Sequence, residues 1–407
     1  MPNDDMQYHM RMREWRMNEV QNRMAEQTRV KELRDDPIAA AHSTRYTSKI
    51  QRLTRFTRNI DSARGDLRIA EGYMNSANDI LHRVREIAIQ GANGVYTEQE
   101  TAYMAEEVNE LLNELVEIAN ARNGDGATIF AGDRTGGDAF RVLTGGSPFT
   151  NKQVITSVDY LGTAAPGAVE VSESSYINAG LQGNRVFWAE HQQVYANLDT
   201  QSFQVQEDST ILVDGIEVDL KSGDSVHSVI AKINASGAAV KASLDPVRNS
   251  LALSTTIPHE LMLEDGGEGT VLQDLGILGD TGRPPFNYHE DARVSGGSLF
   301  DMVINLRDSL YSGDTLQIGG GSLKGLDLAQ DNLLSSIANI GAMDERMQVV
   351  EKRLAYEIPE IKEKNSKEVD LDLTEAITDL KMLEYTHKAA LQTAARILQP
   401  TLMDYLR

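Results

Sequence analysis

The sequence predicts a mainly α-helical protein with a β-rich insert, on three observations. Apolar residues recur every seven positions along two long stretches, one towards each end of the chain, as they do in coiled-coil helices. Between about residues 140 and 295 the apolar residues alternate with polar ones, which is the period of β-strands. A chain of 407 residues has room for two or three domains. We therefore expect long antiparallel helical arms formed by both termini, with an α+β domain inserted between them.

The first heptad stretch predicts one long helix with a narrow apolar seam. The seam positions are Tyr46, Leu53, Ile60, Leu67, Met74, Leu81 and Ala88, with Phe56, Ala63, Ala70, Ala77 and Val84 beside them. A seam this narrow is too thin for a globular core alone, so partner helices at shallow crossing angles are expected. Gly91, Asn93 and Gly94 end the pattern, and Thr97 with Glu100 forms a capping box for a second helix. An αα-hairpin is predicted.

Residues 123–135, NGDGATIFAGDRT, fit three kinds of segment: a calcium loop, a phosphate loop, or a tight turn that opens a β-hairpin. An EF-hand alignment places Ala121 and Gly132 at the two ends of the loop, where oxygen ligands are required. No Gly-Lys-Ser/Thr follows the glycines, as a phosphate loop requires. The Asn-Gly and Asp-Gly pairs accept positive φ, so the turn is the favoured interpretation. Residues 318–325, IGGGSLKG, are interpreted as a hinge between a strand and a long helix, since they lack the spacing of a phosphate loop.

The middle of the chain predicts a small α+β domain. Strands are expected around Phe203 and Val205, at 211–213 and 216–220 with a two-residue turn at Asp214 and Gly215, and at 240–244 and 251–253. A short helix within 223–237 should begin near Asp224 or Ser225 and bury the apolar residues Val226, Val229, Ile230 and Ile233.

The second heptad stretch predicts another long helix, and both chain ends are amphipathic. The second seam comprises Leu326, Leu333, Ile340, Met347 and Leu354. Pro359 should interrupt that helix, because proline lacks the donor and clashes with the preceding turn. The last helical stripe comprises Leu373, Ile377, Leu380, Leu391, Ala394, Leu398, Leu402 and Tyr405, and the first 35 residues repeat Met10, Met17 and Met24. Methionine specifies packing poorly. We expect the two ends to pair with each other and with copies of themselves.

Composition argues against most chemistry. The net charge is −22 and the acidic residues concentrate in residues 69–319, so a phosphate backbone would be repelled. The absence of cysteine removes disulfides, thiolate metal sites and cysteine nucleophiles. No histidine has a second one three or four residues away, and His259 and His289 are expected to be exposed loop residues. We predict no catalytic, cofactor or metal site. An enzyme housed in the middle segment and a general coiled-coil scaffold remain the rival classes.

Several segments together resemble the flagellin superfamily. They are RDDPIAAA at 34–41, the first long helix at 58–94, AEEVNELLNELVEIANARNGDGATIFAGDRT at 105–135, the insert at 211–244 and the tail from NLLSSIANIGAMDERM at 332 onward. The ending FAGDRT is more similar to the hook–filament junction proteins of that superfamily than to flagellin itself. The connection QTRVKELRDDP lacks the glycine that the family usually has there, which implies a more helical and stiffer link.

The resemblance implies a fold, a role and a set of residues. The implied domains are a terminal coiled coil at 1–43 with 366–407, a helical rod with a β-hairpin at 44–150 with 296–365, and an outer β-rich domain at 151–295. The implied role is a structural junction between hook and filament, with a flagellin-type filament subunit as the alternative. The implied partners are a ring of identical subunits, a hook-associated neighbour, flagellin and an export chaperone, in a flagellum built by type III export. Nucleic acid and membrane are not implied. Residues that match the family motifs are Asp35, Asp36, Pro37, Asn59, Gln90, Asn93, Asn120, Phe130 and Gly132.

Overall fold

The computed structural model describes residues 2–134, 136–150, 152–165, 167–267, 269–280 and 282–397. Its helices are α1 (Pro2–Glu26), α2 (Pro37–Ala92), α3 (Glu98–Ala119), α4 (Gly183–Val186), α5 (Val226–Ala235), α6 (Val271–Asp274), α7 (Leu299–Ser312), α8 (Thr315–Gln317), α9 (Leu323–Val369) and α10 (Leu373–Ile397). Among these helices, none is long and apolar enough to span a bilayer over the described residues.

Eleven strands form four antiparallel sheets in the part of the chain that is described. They are β1 (Phe140–Gly146), β2 (Gln153–Tyr160), β3 (Ala168–Ser172), β4 (Ser175–Asn178), β5 (Gln193–Tyr195), β6 (Ser209–Val213), β7 (Ile216–Leu220), β8 (Val240–Asp245), β9 (Ser250–Thr255), β10 (Leu263–Gly266) and β11 (Arg293–Ser295). The strand orders are β1-β2, β3-β4, β10-β6-β7 and β11-β5-β9-β8. The mainly α fold with a β-rich insert is confirmed.

The chain divides into two compact units. One unit comprises Met1–Arg58 with Val349–Arg407, and the other comprises Asn59–Gln348. The first contains α1, α10 and the adjoining ends of α2 and α9. The second contains all the strands and the remaining helices.

The helical part of the second unit depends on the two heptad seams. In α2 the side chains of Ile60, Leu67, Met74 and Leu81 are buried, and in α9 those of Leu333, Ile340 and Met347 are buried. Ion pairs along the two helices show that they run antiparallel: Arg64 Nε lies 2.7 Å from Asp344 Oδ1, and Arg85 Nε lies 2.7 Å from Asp327 Oδ1. The capping box at Thr97 and Glu100 begins α3 as predicted. The α3 helix packs against α7, which the sequence analysis did not identify.

Two expectations about helix continuity are wrong. Helix α9 continues through Pro359, whose side chain is exposed, while Leu354 and Ile361 on either side are buried. The packing of Leu354 and Ile361 offsets the loss of the backbone hydrogen bond that Pro359 cannot donate to the preceding turn. Residues 318–325 do not connect a strand to a helix, because α7 and α8 precede them and residues 318–322 form one π-helical turn into α9.

The glycine-rich segment after α3 is a turn, as predicted. The Asn123 side-chain oxygen accepts the backbone N–H groups of Asp125 and Ala127, at 3.1 and 2.9 Å. Gly126 has φ 80°, which favours glycine. The strand character expected at residues 128–130 is limited to one antiparallel bridge between Arg122 and Thr128, so the hairpin is minimal.

The insert forms around the β6–β7 hairpin and α5. Asp214 and Gly215 both have positive φ, at 52° and 77°, as the predicted two-residue turn requires. Helix α5 begins after Ser225. Strands β8 and β9 lie where strands were predicted, and the sequence analysis did not resolve β1 to β5, β10 and β11. The buried core of this region includes Ile211, Val213, Val218, Leu220, Val229, Ile233, Leu251 and Leu253.

A buried polar cluster fastens the loop at residues 256–262 to the turn between β6 and β7. His259 is fully buried, and its Nε2 lies 2.6 Å from Asp214 Oδ2. Asp214 Oδ1 accepts the N–H of Met262 at 3.1 Å, and Asp214 N donates to Met262 O at 2.8 Å. The expectation that His259 is an exposed loop residue is therefore wrong, because the turn aspartate gives the buried imidazole a partner.

A second core in the same unit is aromatic. The Phe187 ring lies 5.0 Å from that of Phe130, 5.6 Å from that of Phe140 and 5.7 Å from that of Phe300, measured between centroids. All four rings are buried: Phe140 lies in β1, Phe300 in α7, Phe187 directly after α4, and Phe130 within residues 123–135. This cluster fixes the start of the insert to the helices.

We predict that Phe187→Ala lowers the free energy of unfolding of the second unit by about 3–5 kcal/mol, because it leaves a cavity among three other rings. Chemical denaturation followed by circular dichroism measures this. The matched control is Phe149→Ala, whose ring is exposed and stacks on Tyr311, with an expected loss of about 1 kcal/mol or less. Equal losses for the two variants would contradict the assignment of the aromatic cluster as a core.

Candidate assembly interface

The first and last helices pack against each other and form a two-helix pair. On α10, half-buried or buried side chains recur at a spacing of four and three residues, at Ala376, Leu380, Leu383, His387 and Ala390. On α1, the half-buried apolar residues include Met10, Met17, Val20 and Met24. None of the α1 side chains that the structure describes is fully buried. The apolar seam of this pair is therefore only partly covered.

Within the described part of the helix pair, polar contacts are sparse. Arg13 donates to the backbone oxygen of Thr386 at 3.3 Å. His387 Nε2 lies 3.9 Å from the Glu14 carboxylate, and its Nδ1 is buried without a hydrogen-bond partner. Small side chains on α10, among them Thr386, Ala389 and Thr393, leave an open groove beside Met10 and Arg13. The pair is thus held weakly along its length.

Next to the face of α10 that meets α1 lies a second apolar stripe that faces solvent. Ile377 is 43% exposed and Leu391 is 42% exposed, and Leu373 lies on the same face. On α1, Trp15 is 57% exposed and Tyr8 is similar. Exposed apolar side chains in such a row are typical of a surface that another helix covers.

The predicted interface residues fall into three groups. Met10, Met17, Met24 and Leu380 lie between the two helices, whereas Ile377 and Leu391 face solvent. Only the helical backbone of Ala394 is described, and Leu398, Leu402 and Tyr405 lie outside the described residues. The sequence analysis missed Leu383 and Ala390, and it treated His387 as an interruption of the stripe. The signal that identifies all three is the four-and-three spacing that starts at Ala376.

The connections to the helix pair run side by side. Residues 27–30 bridge to residues 369–371, where Arg29 N donates to Val369 O at 2.7 Å and Leu371 N donates to Gln27 O at 3.0 Å. Gln27 takes the left-handed conformation, with φ 56°, at the end of α1. The link is therefore a bridged turn, and the expectation of a more helical link is wrong. A left-handed residue supplies the helix stop that glycine usually provides.

Asp35, Asp36 and Pro37 set the start of α2. The Asp35 carboxylate accepts the backbone N–H groups of Lys31 and Glu32, at 3.1 and 3.0 Å. These two hydrogen bonds, with that from Glu32 the larger cause, hold the pKa of Asp35 below its usual value. The Asp36 carboxylate accepts the N–H of Ala39 at 3.0 Å and of Ile38 at 3.2 Å. The hydrogen bond from the Ala39 N–H is the largest cause that holds the pKa of Asp36 below its usual value. Pro37 is the first residue of the helix, where its missing N–H costs nothing.

The other motif residues lie in the second unit and act mainly on the backbone. Asn120 donates to Phe140 O at 3.0 Å and accepts from Phe140 N at 2.8 Å, which joins α3 to β1. Asn59 donates to Glu170 O at 3.0 Å. A Cβ at Gly132 would lie 2.7 Å from Thr163 O, so only glycine fits. Gln90 and Asn93 are exposed at the end of α2, and the backbone oxygen of Gln90 accepts the backbone N–H of Asn93 at 3.2 Å.

The remaining seam positions occupy the first unit. Leu53 and Leu354 are buried and Tyr46 is half-buried. Lys49 Nζ lies 2.6 Å from Glu357 Oε1, so the adjoining ends of α2 and α9 also run antiparallel. Coverage thus falls from these positions towards the α1–α10 pair. The fold and this surface define a class of helical protein whose terminal helices present an incompletely covered interface.

Two family models match the chain. Residues 1–135 match the bacterial flagellin N-terminal helical region, and residues 202–256 match the flagellin hook IN motif. Both models describe parts of flagellins, so the chain is similar to flagellins over these two segments, as its motifs predicted.

Individual relatives match shorter parts of the sequence. The flagellar filament 31.3 kDa core protein of Treponema maltophilum is 32% identical over 98 residues, which cover 24% of this chain and 34% of that protein. A flagellin of Salmonella muenchen is 30% identical over 113 residues, which cover 28% of this chain and 22% of that flagellin. The chain thus spans about a third or less of the length of these two relatives.

Solved structures match over more of the chain at lower identity. The flagellar hook-associated protein 3 of Legionella pneumophila aligns with a TM-score of 0.47 at 18% identity, covering 79% of this chain and 97% of that one. A structure described as a putative flagellar hook-associated protein of Vibrio parahaemolyticus aligns with a TM-score of 0.49 at 13% identity, covering 83% and 100%.

We predict that Asp36→Ala frays the first turn of α2, because two backbone donors lose their acceptor. Amide exchange at Ile38 and Ala39 should accelerate about fivefold, and Asp36→Asn should restore protection because its side-chain oxygen still accepts. In the wild type the cap should weaken as pH falls through the lowered pKa of Asp36, and it should be constant above the ordinary value of 3.8. Equal exchange in the Ala and Asn variants would contradict the capping role.

Proposed function

We propose that this protein is a structural subunit of the bacterial flagellum that joins the hook to the flagellin filament, a junction subunit of the hook-associated protein 3 type. The observation that carries the proposal is the partly covered α1–α10 pair, with Ile377 and Leu391 exposed on one stripe. Burying these side chains against neighbouring helices removes apolar surface from water, which stabilises the assembly by a free energy of about 25 cal/mol per Å². Assembly completes the bundle that the single chain leaves open.

The proposed partners follow from that mechanism. Copies of the same chain form a ring, with a neighbour like hook-associated protein 1 on one side and flagellin on the other. Before assembly, an export chaperone covers the apolar stripes, and the type III export system carries the chain to the flagellum. The role is structural and not catalytic. It requires no cofactor, nucleic acid or membrane contact.

The three-domain division supports this role and is part of the proposal. Residues 1–43 and 366–407 form the inner coiled coil, residues 44–150 and 296–365 form the rod, and residues 151–295 form the outer domain. Ala394, Leu398, Leu402 and Tyr405 continue the apolar stripe in the sequence, and we include them in the same proposed interface.

A flagellin-type filament subunit is the second candidate. It is favoured by the relatives from Treponema maltophilum and Salmonella muenchen, which are a filament protein and a flagellin. Both candidates use the same terminal helices. The two candidates differ in which part of the flagellum is lost from a strain that lacks this protein.

We predict that Ile377→Glu with Leu391→Glu abolishes incorporation into flagella and leaves the thermal unfolding of the free chain nearly unchanged, because both side chains already face solvent. The matched control is Thr378→Glu with Gln392→Glu, which adds the same charge at exposed polar positions of α10. Immunolabelling of isolated flagella measures incorporation. Normal incorporation of the first variant would refute the interface.

Electron microscopy of a strain lacking this chain separates the two candidates. A junction subunit predicts hooks without filaments and flagellin released into the medium. A filament subunit predicts filaments that are altered in length or shape but still attached. Deletion of residues 366–407 should reproduce the null phenotype although the second unit remains folded. Normal attachment by that truncated chain would contradict the proposal.

A further inference from the structure

The side of α1 that meets α10 carries a row of methionines. Met10, Met17 and Met24 lie seven residues apart, so they share one face of the helix, and all three side chains are half-buried. Met10 also lines the open groove between the two helices, beside Arg13 and Thr386. We call these three residues the methionine row. Because none of them is fully covered, small solutes can reach the row from solvent.

Other methionines of the chain differ from the row in burial. Met74 on α2 and Met347 on α9 are fully buried in the second unit, at 0% exposure. Their sulfur atoms meet solvent only when that unit opens. Met382 is 65% exposed on α10, outside the stripe that faces α1. A reagent in solution should therefore react with the row and with Met382 before it reacts with the buried methionines.

Oxidation converts a methionine side chain from apolar to polar. Hydrogen peroxide transfers one oxygen atom to the sulfur: an S–O bond forms, the O–O bond breaks, the sulfur is oxidised and the peroxide is reduced to water. The product is a sulfoxide, whose oxygen accepts hydrogen bonds and disrupts methionine-rich interfaces. Methionine sulfoxide reductases return it to the thioether. The change is therefore reversible.

The stripe of α10 that faces the row is poorly equipped to receive a sulfoxide oxygen. Ala376, Leu380, Leu383 and Ala390 have no polar side-chain atom, and among the described residues of this stripe only His387 can donate a hydrogen bond. A polar oxygen that loses water without gaining a donor costs free energy. Water that satisfies the oxygen must enter between the helices. Oxidation of the row therefore favours separation of α1 from α10.

The helix pair has little stability with which to resist this change. Its seam is only half-covered, and the hydrogen bond from Arg13 to the backbone oxygen of Thr386 is long, at 3.3 Å. Local opening of a weakly held element has a small free energy, so a modest added cost changes the open population several-fold.

We propose that Met10, Met17 and Met24 form an oxidation site: hydrogen peroxide converts them to sulfoxides, which opens the α1–α10 pair, and enzymatic reduction closes it again. A further consequence, that oxidised chains no longer enter the flagellum, rests on the proposed function. The opening of the helix pair in the free chain does not.

Peptide mapping by mass spectrometry, after brief peroxide treatment of the full chain, locates the oxidised residues. The methionine row should react about tenfold or more faster than Met74 and Met347, because the buried sulfur atoms react only after the second unit opens. Met382 should react at least as fast as the row. Equal rates at the row and at the two buried methionines would overturn the proposal.

Amide exchange at short labelling times measures the effect on the helix pair. In the wild type, peroxide should accelerate exchange along α1 and α10 about tenfold, and a methionine sulfoxide reductase should reverse the effect. The variant Met10→Leu with Met17→Leu and Met24→Leu keeps apolar side chains of similar volume, so peroxide should leave its exchange unchanged. The matched control Met382→Leu should respond to peroxide as the wild type does. Each chain is compared with its own untreated sample, so a variant that packs differently does not alter the comparison.

Two results of the exchange measurement would overturn the proposal. One is wild-type exchange that peroxide leaves unchanged, and the other is equal acceleration in the wild type and the triple leucine variant. Binding of the oxidised chain to hooks isolated from a strain lacking this protein, detected by immunolabelling, tests the consequence for assembly separately. Loss of binding is expected. Accelerated exchange together with normal binding would support the oxidation site and contradict the interface of the proposed function.

Discussion

The incomplete burial of the α1–α10 pair is the constraint on which the account of this protein depends. In the second unit, seam residues such as Ile60, Met74 and Leu333 are fully buried. In the terminal pair most of the facing side chains, among them Met17, Leu380 and His387, remain half-covered. Ordering a helix costs backbone entropy of roughly 1–2 kcal/mol per residue, which packing must offset. A pair that buries so little apolar surface offsets that cost poorly by itself.

The chemistry of the two seams explains this difference. Leucine and isoleucine fill most of the α2–α9 seam and aromatic rings fill the core around Phe187, and they fix one packing arrangement. Methionine on α1 and small residues on α10 leave a groove and a flexible contact. The same side chains can adapt to a neighbouring helix at little cost. Over the described residues of α1 and α10, polar contacts such as that between Arg13 and the backbone oxygen of Thr386 are too few to lock the pair.

Much of this architecture could be predicted from the sequence because the relevant forces are local. The heptad spacing from Leu53 to Leu81 locates α2, Thr97 with Glu100 locates the start of α3, and Asp214 with Gly215 defines the turn of the insert. Each signal depends on periodicity or on a backbone conformation that few residues accept. The interface stripe on α10 was located only in part, because two apolar faces on one helix are superposed in sequence.

The features that were missed depend on contacts distant in sequence. Nothing local in PHE at 258–260 indicates that His259 is buried against Asp214, 45 residues away. Helix α9 continues through Pro359 because tertiary packing overrides the local cost. The left-handed Gln27 replaces an expected glycine because the bridge to residues 369–371 holds it.

Amide exchange measured along α1 and α10, once in dilute monomer and once in assembled flagella, tests the central claim most directly. The account predicts weak protection in the monomer and strong protection after assembly. Full protection of both helices in the dilute monomer would contradict it.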